Sequence, residues 1–139
     1  MTGDVIAALV AFLKADGGVA ALVGTRVFGI ELPAGEAEPM PEKALVLRPS
    51  GGAPLVAGYA EVSAQRIDAY AYGETPYEAA RVDLAVYPAL KQLRRAVSAG
   101  VLVHWVTDAG GYSSFRDPAT DWPAVFRSWQ AFFAEPAVA

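Results

Sequence analysis

The chain has 139 residues, 54% of them apolar and 19% charged, with no cysteine and a net charge of −4. That length suits a single domain, residues 1–139, which buries roughly two-thirds of its unfolded surface. The missing cysteines exclude disulfides, thiolate catalysis and zinc–sulfur sites. The acidic balance opposes tight nucleic-acid binding, which needs clustered Lys and Arg to release counterions from phosphates.

The opening Met-Thr-Gly-Asp lacks a basic leader, and the apolar run at residues 5–13 stops at Lys14. It is too short to span a bilayer, so a soluble intracellular protein without membrane contact is expected. Asp4 is placed to cap a first helix whose apolar stripe is Ile6, Leu9, Val10 and Leu13. Asp16-Gly17-Gly18 interrupts it, a short helical turn follows at 19–23, and Gly24 ends that turn in a left-handed conformation.

Residues 26–30 read as a short strand, and 32–42 as a loop with Pro33, Pro39, Pro41, Gly35 and three glutamates. Residues 44–48 form an apolar second strand, and 49–58 a second Gly/Pro-rich loop. Loops this long in a compact domain are usually functional. Residues 60–72 form one long strand with two faces. Ser63, Gln65, Ile67, Ala69 and Ala71 are small enough for a helix to pack close. Arg66, Asp68, Tyr70 and Tyr72 mix charge with aromatic rings, which suits a wet or subunit-facing side.

Thr75-Pro76-Tyr77-Glu78 is a helix start: Thr75 caps, Pro76 suits the first position and Glu78 completes a capping box. Val82, Val86, Ala89, Leu93 and Val97 recur at helical spacing, so the helix is expected to run to about Ser98, with a kink at Pro88. Residues 101–107 read as a fourth strand, 108–123 as a polar loop, and 124–134 as a last strand rich in aromatics. The order predicts an α+β domain: a mainly antiparallel four- to five-stranded sheet with two main helices packed on one face.

Reactive chemistry is sparse. His104, the only histidine, lies between Val103 and Trp105 with no evident orienting partner. Asp108, Asp117 and Asp121 match no calcium-loop spacing, and Asp117-Pro118 and Trp122-Pro123 explain them as turn formers. Gly51-Gly52 and Gly110-Gly111 lack phosphate-loop spacing. No catalytic residue, metal site or cofactor is expected, and the chain reads as a non-enzyme. The apolar excess points to an oligomer. Arg127 and Trp129 in the last strand are candidate interface anchors, together with Phe133, with Arg66, Tyr70 and Tyr72 of the long strand, and with Glu36 and Glu38 of the first loop.

The arrangement resembles the tail completion (tail terminator) proteins of long-tailed bacteriophages and gene-transfer particles. The resemblance rests on the helix pair closing on Leu22-Val23-Gly24-Thr25-Arg26-Val27-Phe28 and on the loop carrying Leu32-Pro33 and Pro41. It rests also on the Gln65-Arg66-Ile67-Asp68-Ala69-Tyr70 strand leading into the capped helix, and on the Arg116-Asp117-Pro118-Ala119-Thr120-Asp121-Trp122-Pro123 turn. It implies a structural protein of the virion neck, assembled in the host cytoplasm as a homohexameric ring. Such a ring caps the tail tube, ends its polymerisation, meets the head–tail connector or stopper, and lets DNA pass through its lumen. Alternatives are another neck component, such as a head-closure or adaptor protein, a small hydrolase using Asp117 and Asp121, and a free-standing binding module.

Overall fold

The computed structural model describes residues 4–33, 41–51, 62–118 and 120–134. Three helices, α1 (Val5–Ala15), α2 (Gly17–Val23) and α3 (Pro76–Lys91), lie on one face of a sheet. Its strands are β1 (Val27–Gly29), β2 (Ala44–Pro49), β3 (Val62–Tyr72), β4 (Arg94–Ser98), β5 (Val101–Arg116) and β6 (Pro123–Ala134). They order as β1-β2-β3-β6-β5-β4. All neighbours are antiparallel except β1 and β2, which pair in parallel. The α+β class holds, with the short turn read at 19–23 present as α2, but the expected mainly antiparallel four- to five-stranded sheet is corrected to six strands in a mixed sheet among the described residues.

Local chemistry sets the helix starts. Asp4 Oδ1 accepts from the Ile6 and Ala7 N–H groups, and Asp16 Oδ2 accepts from Val19 N–H. These satisfy donors that a helix N-terminus leaves orphaned. Asp16 also marks the corner at which α2 turns 85° from α1. No single helix among the described residues is long and apolar enough to cross a membrane. Thr75 Oγ1 accepts from Glu78 N–H, as the capping sequence requires. The Glu78 carboxylate, expected to reach back, instead pairs with Arg81 and Lys43.

Helix α3 ends at Lys91, seven residues before the expected Ser98. Pro88 lies in its last turns, and Arg94 donates to the Lys91 and Leu93 carbonyls just past its end. The apolar spacing misleads here because Leu93 still faces the core after the helix has stopped. The chain re-enters the sheet as β4, then turns through Ala99 and Gly100, both at positive φ, into β5. Two positive-φ residues between antiparallel strands match the right-handed strand twist.

The polar stretch 108–123, expected as a loop, is mostly strand. β5 continues to Arg116, with register shifts around Gly110 where Gly110 and Gly111 adopt positive φ. Polar residues are tolerated because this part of β5 lies largely in solvent, and glycine absorbs the bulge. The sheet curls around α1. At one edge Gly29 passes against Ile6, and at the other Ser98 Oγ donates to the Ala8 carbonyl at 2.7 Å.

Gly73 joins β3 to α3 in a space with no room for a side chain. A Cβ there would lie 2.4 Å from Ala79 N and 2.7 Å from Glu78 C, both backbone. Gly73→Ala should therefore displace the α3 N-terminus and destabilise the fold by about 1–3 kcal/mol or more. The shift in urea midpoint at constant slope measures it, and an unchanged midpoint would refute the close approach.

Candidate interaction surface

β3 and β6 pair over eleven residues, from Val62↔Ala134 to Tyr72↔Ala124. This pairing divides their side chains between two environments. Ile67, Ala69 and Ala71 of β3 join Val125, Trp129 and Ala131 of β6 in the main core beneath the helices. Arg66, Asp68, Tyr70 and Tyr72 share the opposite, helix-free face with Phe126, Ser128, Gln130 and Phe132.

The helix-free face is aromatic at both ends and polar between. At one end Trp105 stacks on Phe132, with ring centroids 4.6 Å apart. In the middle Ser128 Oγ and Ser50 Oγ donate to Asp68 Oδ1 at 2.8 and 3.1 Å, and Arg66 Nη2 donates to Ser128 Oγ at 3.3 Å. At the other end Tyr70 contacts Phe126 and Phe115. Beyond them Ala44, Val46, Tyr72, Trp122 and Ala124 form a second, smaller core.

That second core is held by the turn after β5. Asp121 N–H donates to the Asp117 carbonyl, Asp117 N–H to the Trp122 carbonyl, and Asp121 takes positive φ. The turn folds Trp122 edge-on against Tyr72, whose hydroxyl donates to Asp117 Oδ2 at 2.8 Å. Two shallow clefts of about 230 and 270 Å³ flank it, sharing Arg48, Tyr72 and Asp117. Arg48 lies over the Tyr70 ring at 5.8 Å. Of the two acids, Asp117 uses its carboxylate to accept from Tyr72, whereas Asp121 enters the turn through its backbone.

The residues expected at an interface divide between surface and interior. Arg66 is exposed and Tyr70 half-buried on the helix-free face. Tyr72 belongs to the second core, and Phe133 packs against the main one. Trp129 is 0% exposed, in contact with the Tyr87 ring, so its surface is used within the chain. Glu36 and Glu38 lie outside the described residues. His104 is half-buried beside Trp105, and no group of three or more His, Asp or Glu among the described residues is placed to hold a metal ion.

Arg127 has an internal role that spacing did not reveal. Its Nε and Nη2 donate to the Asp83 carboxylate, with a closest distance of 2.9 Å, and its Nη1 donates to Asp108 Oδ2 at 3.1 Å. The Tyr87 and Tyr112 rings both lie 4.9 Å from its guanidinium carbon. Hydrogen bonds to Asp83 raise the Arg127 pKa above its ordinary value, against the opposing effect of burial. The cluster ties α3 to β5 through β6. One signal was readable: Asp83 lies within the buried 79/82/83/86/90 stripe of α3, where a carboxylate needs a partner.

No family model matches the chain, and no curated protein matches it by sequence. Among solved structures the fold is similar to a chain of the "Virion of native gene transfer agent (GTA) particle", with a TM-score of 0.72 and 20% identity. The match covers 92% of this chain and 92% of that chain. At this identity the likeness is one of fold.

Two predictions follow from the geometry. Arg127→Met leaves Asp83 buried without its cation, and should cost about 3–5 kcal/mol. Pairing it with Asp83→Leu should recover part of that loss, whereas additive losses in denaturant titrations would show the two side chains do not interact. Burial, and then the bond to Asp117, raises the Tyr72 pKa above its ordinary 10.0. Its neutral hydroxyl therefore contributes stability that is complete below about pH 10 and declines as pH rises towards the folded value. The difference in 295 nm absorbance between the native chain and Tyr72→Phe should stay flat through pH 10. A phenolate step near the ordinary value would contradict the assignment.

Proposed function

We propose that this chain is a structural protein of a phage-like or gene-transfer virion, acting as the ring that caps the tail tube. In this role it ends tube polymerisation and joins the tail to the head connector. The observation that carries the reading is the fold similarity to a gene transfer agent virion chain over nearly the whole length of both molecules. The resemblance of the sequence to tail terminators supports the finer assignment.

The physical character of the molecule suits such a role. The helix-free face exposes aromatic side chains, among them Trp105 and Phe115, a residue type enriched in protein–protein contacts. A net charge of −4 lets DNA move through a lumen without being held, because no counterion release rewards contact. On this reading the function is assembly rather than catalysis and needs no cofactor. A neighbouring neck role, as head-closure or adaptor protein, rests on the same fold similarity and differs in its partner.

Negative-stain imaging of the purified chain, alone and mixed with the tail-tube protein of its particle, tests the proposal. The expected result is six-fold rings and tubes that stop growing once capped. Tubes that elongate unchanged, with the chain bound instead to a portal complex, would transfer the assignment to the adaptor role. A chain that binds neither partner and turns over a small compound would overturn both.

A further inference from the structure

Helix α3 carries two stripes on opposite sides. The 79/82/83/86/90 stripe faces the core, and diametrically opposite it lie Tyr77, Arg81, Leu84, Pro88 and Lys91. These five recur at steps of four, three, four and three, so they line one helix face over about 21 Å. All are exposed, Tyr77 at 73% and Leu84 at 63%. The outer face of a surface helix is ordinarily polar. This one mixes three apolar side chains with two cations and has no acid. Its spacing is the repeat with which one helix seats a second.

Charge is one-sided at the C-terminal end of this face. Lys91 is followed by Arg94 and Arg95, all exposed, and none of the three forms an ion pair with a described residue. At the other end Arg81 already pairs with Glu78, whose carboxylate also reaches Lys43. The unmet charge is therefore positive and gathered at one end of an apolar seam.

These features select the occupant. The four-three spacing calls for a helix, Tyr77 and Leu84 call for apolar side chains on it, and the cations call for carboxylates at one end. A second copy of this chain has no such helix among its described residues. The segments α1 and α2 contain no Asp or Glu, and the flanking Asp4 and Asp16 are committed to caps. The two acids of α3 are Glu78, already paired, and Asp83, buried. We infer that the outer face of α3 is a docking seam for an acidic amphipathic helix of a different protein. Nothing in this seam depends on the tail-capping role.

Fluorescence anisotropy of three labelled probes with the full chain tests the seam. They are a four-turn peptide with leucine at positions a and d and glutamate at e and g, its twin with lysine for glutamate, and a short DNA duplex. Native protein should bind the glutamate peptide, more weakly as salt rises, and about tenfold or more tightly than the lysine twin. Leu84→Glu should weaken that binding about tenfold or more, by placing a like charge within the seam. Lys91→Glu with Arg95→Glu should do the same and transfer the preference to the lysine twin. These positions are exposed, so the variants should melt as native protein does. Arg95 sits at φ +46°, so Arg95→Gly should hold or raise the melting temperature and still weaken binding. Equal binding of the two peptides, a preference for DNA, or indifference to every substitution would each overturn the seam. Self-association of native protein that Leu84→Glu abolishes would hand the face to a second copy and overturn it too. None of these outcomes alters whether rings cap tube ends, which imaging reads separately.

Discussion

The antiparallel register of β3 against β6 is the constraint on which the molecule depends. These two central strands carry alternating side chains of opposite character, so a slip of one residue would exchange their faces. With β6 held in place, Arg66 and Asp68 would then lie beneath the helices, and Ile67, Ala69 and Ala71 of β3 would face solvent. Burying that charge without its partners costs several kcal/mol, far more than a slipped ladder could recover. The small side chains Ala69, Ala71 and Ala131 also let the helices approach the sheet closely. The main core and the polar band are thus two consequences of one pairing.

The Asp83–Arg127–Asp108 cluster adds a directional restraint to that non-directional packing. Hydrophobic burial would hold α3 over the sheet in several neighbouring positions, whereas a forked guanidinium accepts few geometries. Two carboxylates share the cation, and two tyrosine rings enclose it, so the charge is matched before it is desolvated. Because Asp83 is almost fully buried, the cluster serves the position of α3 more than net stability.

The helix-free face and the sheet edges have a different character from the interior. Its polar centre is internally satisfied by Ser50, Asp68, Arg66 and Ser128, so it can meet a partner without leaving polar groups unpaired. Its aromatic ends vary the surface around that centre. A scaffold of this kind suits assembly, where shape and charge at several surfaces matter more than any reactive group.

Much of this was legible in the chain itself, since local chemistry acts between near neighbours. The caps at Asp4 and Thr75, the alternation of β3 and the opposing faces of β6 are all short-range patterns that persist in the fold, whereas Asp16, read only as a break, also caps α2. The α3 terminus was not legible, because Leu93 and Val97 keep a helical spacing while the chain turns into β4. Nor was the length of β5: a strand lying in solvent loses the apolar alternation by which strands are recognised, and Gly110 and Gly111 mimic a loop. Arg127 and Trp129 had the composition of interface anchors, but their burial followed from the placement of α3 above them. Sequence alone determined which residues share a face. Tertiary structure decided which face was covered, because that depends on contacts between segments far apart in the chain.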